Sequence, residues 1–129
     1  MSRLSDTWRG LAALPATRLA DLPTPVERLE DALPPDARAE LWVKRDDLTA
    51  TGYGGNKVRK LERLLGEAEA RGATAIVTAG AFGSHHVLAT TLYGGRRGLD
   101  VYAVLIPQPW TDHVEENLRA DLALGARIA

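Results

Sequence analysis

Apolar residues change their spacing several times along the chain, and each change marks an element. Leu41-Trp42-Val43 reads as a short strand, followed by a loop from Asp46 to Asn56 that holds Gly52, Gly54 and Gly55. A helical spacing begins near Lys57 and puts Leu61, Leu64, Leu65 and Ala68 on one face. It ends at Arg71-Gly72, a cation in the last turn and a glycine stop. Thr74-Ala75-Ile76-Val77-Thr78 is continuously apolar and β-branched enough for a central parallel strand. The turn Gly80-Ala81-Phe82-Gly83 leads to Ser84, an N-cap, and to a helix through about Arg97, closed by Gly98. Asp100 to Ile106 is the next strand, stopped by Pro107 and Pro109. Asp112 is expected to cap a further helix with Val114, Leu118 and Leu122 inward, ending at Gly125, and Ala126 to Ala129 begins another strand.

Strand and helix therefore alternate over residues 41–129 at the spacing of βαβ units. This predicts an α/β fold with an open, mostly parallel sheet and helices on both faces. Residues 1–40 are irregular, since Pro15, Pro23, Pro25, Pro34 and Pro35 interrupt any long helix. Short helical turns are expected around Leu11 and Val26. There is no internal repeat and no low-complexity segment. A buried strand only four residues long makes an unlikely terminus, so the chain is expected to be part of a longer one.

Composition narrows the function classes. A length of 129 residues suits one domain, and 45% hydrophobic with 26% charged residues suits a folded one. A net charge of −1 supplies no field for nucleic acid or an anionic membrane. Without cysteine there is no disulfide, thiolate metal site or cysteine nucleophile. The apolar run Leu11 to Leu14 is too short for a signal-peptide core, and Val101 to Ile106 is far below the roughly 20 residues of a spanning helix. A cytoplasmic location is the expectation. Of sixteen basic residues only three are lysine, and Lys44, Lys57 and Lys60 all fall within seventeen positions. Where arginine is the default cation, such a cluster suggests a task that needs an amine.

Two loops lie where parallel sheets bind ligands, beyond the carboxyl ends of strands. One runs Gly54-Gly55-Asn56-Lys57-Val58-Arg59-Lys60-Leu61-Glu62; the other runs Gly80-Ala81-Phe82-Gly83-Ser84-His85-His86. Neither is a P-loop, a dinucleotide fingerprint or a nucleophile elbow. A metal site is not expected: His85 and His86 are adjacent, about 100° apart on a helix, and His113 is distant along the chain. In the first loop, glycines let backbone approach a ligand closely, and Lys57 and Lys60 share one helical face near a helix start. Cations there oppose the helix dipole by a few tenths of a kcal/mol each, roughly, which makes sense if an anion binds. A merely solvated helix end explains the same residues about equally well. Ser84 has a sufficient role as an N-cap worth about 1 kcal/mol, yet the same geometry leaves N–H groups for a carboxylate or phosphate. Tyr53, set between glycines, is a candidate ligand neighbour, and Trp110 reads as a turn residue over apolar surface.

Leu41-Trp42-Val43-Lys44-Arg45-Asp46-Asp47-Leu48 followed by Gly54-Gly55-Asn56-Lys57-x-Arg59-Lys60-Leu61-Glu62 closely resembles the D-cysteine desulfhydrase and 1-aminocyclopropane-1-carboxylate deaminase family. These are pyridoxal-phosphate enzymes of the tryptophan-synthase-β type, fold type II. Pro23-Thr24-Pro25-Val26 is similar to that family's Pro-Thr-Pro-Leu segment, and the likeness runs over roughly residues 20–129. By position, the resemblance implies that Lys57 holds the cofactor as a Schiff base, which requires a deprotonated amine, and then acts as general base at the substrate carbon. It implies that Lys60 reaches the cofactor phosphate, that Asn56 lies beside it, and that Ser84 receives the substrate carboxylate. His85 stands where the family carries an asparagine that bonds the cofactor's ring hydroxyl; a histidine there is bulkier and titrates near neutral pH. His85, His86 and Tyr53 are the remaining candidates for contact with substrate.

The resemblance further implies residues 1–45 contributing to a large domain and residues 46–129 forming a small α/β domain of a homodimer. The family's phosphate cup, pyridine-nitrogen partner and substrate-facing tyrosine come from its later half, so these 129 residues alone are expected to be inactive. The expected function is that of a pyridoxal-phosphate lyase or deaminase acting on a small amino acid. D-Cysteine β-elimination leads, with cyclopropane ring opening behind it. The rivals are a truncated or degenerate homologue that binds an anion or a partner without turnover, and a generic nucleotide-binding domain.

Overall fold

A computed structural model describes residue 10 and residues 12–30, 33–34 and 36–129. Strand β1 (Val26–Arg28) pairs antiparallel with β2 (Trp42–Lys44), Val26 opposite Lys44. Thr24 and Leu22 each precede a proline and are thereby biased away from helix. The segment enters β1 extended, so the helical turn expected around Val26 is a strand instead. The companion turn expected at Leu11 lies outside the described residues.

The larger sheet is parallel, in the order β3 (Ala75–Ala81), β4 (Asp100–Ile106), β5 (Arg127–Ile128). Ala75 stands opposite Asp100 and Ala81 opposite Ile106, so β3 and β4 pair along their whole length. Helices α1 (Asn56–Ala70), α2 (His85–Arg96) and α3 (Asp112–Ala123) alternate with these strands. The expected α/β class and parallel sheet are therefore what the chain forms. Three glycines end the three helices as their positions suggested, with φ of +65° at Gly72, +75° at Gly98 and +88° at Gly125.

The core lies on one side of this sheet. Val101, Ala103 and Leu105 alternate inward along β4, and Ala103 and Leu105 meet Val87 of α2 and half-buried Leu118 of α3. Val58, Leu61 and Leu65 of α1 pack with Ala89 and Tyr93 of α2, and Ile76 of β3 joins them. Leu64, expected inward, is instead exposed. On the opposite face Val77 is 70% exposed and Ile106 63%, with Tyr102 and Val104 beside them. The described residues thus supply the helices of one face only.

Residues 14–21 lie along α1. Thr17 N–H donates to the Glu62 carbonyl at 2.9 Å, and the Glu62 carboxylate accepts from Leu19 N–H at 3.0 Å and Ala20 N–H at 2.8 Å. The approach is so close that a Cβ on Gly66 would collide with the Ala16 backbone.

Helix α3 departs from expectation in two ways. Its N-cap is Thr111, whose hydroxyl accepts from Val114 N–H at 3.3 Å, with Asp112 the first helical residue. Its buried positions are Val114, Asn117 and Asp121, while Leu122 is 56% exposed. The rotation that buries Val114 also buries the residues three and seven positions on, and these are polar.

Asp121 is fully buried, and neither carboxylate oxygen has a hydrogen-bond partner. Burial pushes its pKa up, against a smaller opposing effect of the Thr91 hydroxyl, which itself donates to the Val87 carbonyl at 3.0 Å. A carboxyl whose folded-state pKa is raised contributes fully only below its unfolded pKa of about 3.9. That contribution is lost as pH rises through the folded value. Asp121→Asn is therefore expected to raise stability by about 1–2 kcal/mol at pH 7. The gain should shrink toward zero near pH 3.5, as read by urea unfolding of both proteins at each pH.

Candidate functional site

The loop between β2 and α1 is closed by backbone groups rather than by apolar packing. After a single 3-10 turn at Asp46–Leu48, the Asp46 carbonyl accepts from Gly55 N–H at 2.7 Å and from Thr49 N–H at 3.2 Å. The fully buried Thr49 hydroxyl lies 2.8 Å from the same carbonyl and 3.0 Å from that of Gly55. Thr49's own carbonyl accepts from Asp21 N–H at 2.7 Å, which ties the loop to the N-terminal segment. Two glycines make this closure possible. A Cβ on Gly54 would collide with the Asp47 carbonyl oxygen, and Gly55 has φ +104°.

Gly55 is also the N-cap of α1, so no side chain caps this helix. Its first turn holds Lys57 and no acid. Arg59 turns away to Asp46, donating at 2.7 Å and 3.1 Å to one carboxylate oxygen and at 2.9 Å to the Thr24 hydroxyl. The Lys57 amine donates to the Asn56 side-chain oxygen at 3.1 Å.

A cavity of about 530 Å³ opens beside this helix start, lined by Asp47, Gly52, Tyr53, Gly54, Gly55, Asn56, Lys57 and His85. That volume lies within the roughly 300–1,000 Å³ of small-molecule pockets. Four of the predicted residues, Tyr53, Asn56, Lys57 and His85, are thereby brought together from two loops. Tyr53 Oη lies 2.6 Å from His85 Nδ1.

The other predicted residues stand apart from this lining. Ser84 caps α2, accepting weakly from Val87 N–H at 3.4 Å. Lys60 is exposed one turn along α1. His86 faces a second cavity of about 380 Å³ between α1 and β3, with Leu61, Leu64 and Thr90. Its pKa is lowered, first by burial and then by the charges of Lys57 and Lys60, which places it within electrostatic reach of both amines.

Sequence reasoning missed His113. Distant along the chain, its ring centroid lies 4.8 Å from that of His85. Only the packing of α3 beside α2 brings the two together, and no local pattern announces it.

The residues facing this cavity are a primary amine, an amide, a phenol, an imidazole and the Asp47 carboxylate on a glycine-rich floor, the carboxylate being paired with Arg45 at 2.7 Å. An amine can bond an aldehyde covalently, and a helix start with unpaired N–H groups and a second lysine suits a phosphate. That donor set fits pyridoxal phosphate.

Comparison with known proteins agrees. A family model described as "Pyridoxal-phosphate dependent enzyme" matches residues 17–129. The chain belongs to that family.

It is 42% identical over 118 residues to nocardicin C-9' epimerase of Nocardia uniformis subsp. tsuyamanensis, covering 92% of this chain and 35% of that protein. It is 42% identical over 98 residues to D-cysteine desulfhydrase of Salmonella paratyphi B, covering 74% of this chain and 29% of the relative. A crystal structure of an ACC deaminase homologue superimposes with a TM-score of 0.78 at 36% identity, over 95% of this chain and 36% of that one. The chain thus spans about a third of the length of these relatives. The fold is that of part of the ACC deaminase homologue.

The close approach at Gly54 can be tested directly. Gly54→Ala is expected to cost about 1–3 kcal/mol in urea unfolding, because the methyl group must displace the Asp47 backbone. Gly95→Ala, in α2 with open space around it, should instead stabilise by about 0.5–1 kcal/mol.

Proposed function

We propose that the protein is a pyridoxal-phosphate-dependent lyase or deaminase acting on a small amino acid. The observation that carries this reading is the Lys57 amine lining a glycine-walled cavity at the start of α1. Lys57 would hold the cofactor covalently, with Lys60 toward its phosphate and Asn56 and His85 beside it. When bound, that group supplies an electron sink for a carbanion. The amine of Lys57 would then remove a proton at the substrate carbon. Ser84 would orient the substrate: its hydroxyl hydrogen remains available to a carboxylate while its oxygen caps α2.

β-Elimination at a carbon–sulfur bond is the lead reaction, supported by the D-cysteine desulfhydrase relative, and cyclopropane ring opening is next, supported by the ACC deaminase homologue. Inversion at a stereocentre is a second reading. It is favoured by the epimerase relative, whose match covers 92% of this chain against 74% for the desulfhydrase, and by an imidazole facing the same cavity as Lys57. Residues 46–129 would form the small domain and residues 1–45 contribute to a larger one, in a cytoplasmic homodimer. Among the described residues no helix is long and apolar enough to cross a membrane.

In the complete protein, borohydride should reduce the cofactor onto Lys57, with loss of the near-visible absorption band. Lys57→Ala should lose covalent labelling entirely and at least about 10³-fold in turnover. Sulfide release from D-cysteine, set against ammonia release from 1-aminocyclopropane-1-carboxylate, separates the two lead reactions. A covalent label persisting in Lys57→Ala would overturn the assignment.

A further inference from the structure

His85 is exposed at the start of α2, yet it has a ring neighbour on each side. On one side is Tyr53, whose hydroxyl lies 2.6 Å from Nδ1. Burial pushes the Tyr53 phenol up, with the charges of Asp121 and Tyr93 adding, so this hydroxyl keeps its hydrogen. A phenol that keeps its hydrogen can donate to Nδ1, and the neutral imidazole then carries its own hydrogen on Nε2. Tyr53 is itself anchored, since its carbonyl accepts from the Tyr93 hydroxyl at 2.6 Å and Tyr93 is buried in the core.

On the other side the His113 ring meets His85 at 4.8 Å between centroids, with the planes 42° apart. His113 is positioned by buried Asn117, whose side-chain amide donates to the Gly83 carbonyl at 2.8 Å and lies 3.3 Å from His113 Nε2. His113 is exposed. His85, in the cavity lining, is itself exposed, and the His113 ring lies beside it. An N-terminal helix residue that is merely solvated needs neither the tyrosine nor the second ring.

We propose that His85, oriented by Tyr53, is a second proton-transfer residue of the cavity that Lys57 lines, and that the pair inverts the α-carbon of an amino acid. The proposal rests on the pyridoxal-phosphate reading above. The neutral Lys57 amine takes the α-hydrogen as a proton: the C–H bond breaks, an N–H bond forms, and the electron pair stays with the carbon. Protonated His85 then gives its Nε2 proton to that carbon; this N–H bond breaks, a C–H bond forms, and the pair returns to it. Lys57 afterwards releases a proton to water and exposed His85 regains one from water. The amino acid gains and loses no atom, and no oxidant is needed. Tyr53 suits both states of the ring, because its oxygen can accept from Nδ1–H once the imidazole is protonated. It is a positioning residue, not one that touches the reacting carbon.

Alanine is the appropriate probe, because it has no leaving group at the β-carbon and elimination cannot compete. The complete protein with cofactor is incubated with L-alanine or D-alanine in deuterium oxide. Chiral chromatography with mass spectrometry should show the opposite enantiomer carrying one deuterium. His85→Asn keeps a hydrogen-bond donor but cannot transfer a proton. It should keep the absorption band and the borohydride label while inversion falls at least about 100-fold. Tyr53→Phe should lower inversion about tenfold, within the same general acid–base range. In cofactor-free protein, it should also convert the His85 ¹⁵N signals from the Nε2–H tautomer to a mixture.

Inversion in His85→Asn within twofold of the parent protein overturns the proposal. So does exchange without inversion, or a mixed tautomer in the parent. Loss of the absorption band in His85→Asn, with inversion unchanged in Tyr53→Phe, also overturns it and assigns His85 to holding the cofactor alone. Absence of any band in the parent overturns the pyridoxal-phosphate reading itself, and with it this one.

Discussion

One carbonyl oxygen organises the site. The Asp46 carbonyl takes the Gly55 and Thr49 N–H groups and lies within hydrogen-bond distance of the Thr49 hydroxyl, so the loop is folded back on its own beginning. The carboxylate of the same residue pairs with Arg59 one turn into α1. Asp46 therefore grips both the loop and the helix that follows, and Lys57 sits between the two grips. Buried backbone groups must be paired wherever water is excluded, and here their pairing sets where the amine stands.

Around that loop the packing is tight on one side of the molecule and absent on another. The N-terminal segment is laid against α1 by Glu62 and by the missing side chain at Gly66, and α1 in turn packs on α2 over the inner face of the sheet. The outer face keeps Val77, Tyr102, Val104 and Ile106 in solvent. Burying one face of β4 while exposing apolar residues on the other is what a strand made for two covered faces looks like when one cover is absent from the described residues. The cavity belongs to the well-packed side, where its walls are fixed by hydrogen bonds that reach the core through Tyr93 and Asn117.

Much of this was legible along the chain because the relevant physics is local. Glycine after a helical run ends the helix by turning left-handed, and Gly72, Gly98 and Gly125 do so. Asp100–Ile106 is a strand to the residue, bounded by Gly98 on one side and Pro107 on the other. Misreadings arose where a distant partner outweighs a local preference. Val26 joins a strand because Lys44 lies opposite it, and Asp121 is buried in place of Leu122 because α3 is rotated to seat Val114. Apolar periodicity cannot anticipate a helix that buries an aspartate without hydrogen-bond partners, since that burial is unfavourable in itself and follows from how the whole helix is seated.

The linear order of residues by itself determined the α/β class, the helix stops, and the glycine-walled lysine at a helix start, because spacing, chain stiffness and steric allowance act within a few residues. It also carried the likeness to pyridoxal-phosphate enzymes, since the Gly-Gly-Asn-Lys segment is contiguous. Only the tertiary structure decided which residues face the amine. Tyr53 and His85 are 32 positions apart, and His113 a further 28, yet they meet in one line of contacts. Ser84 and His86, neighbours of His85 in the chain, are directed to a helix cap and to a second cavity. Adjacent residues on a helix point in different directions, so nearness along the chain could not predict nearness in the site.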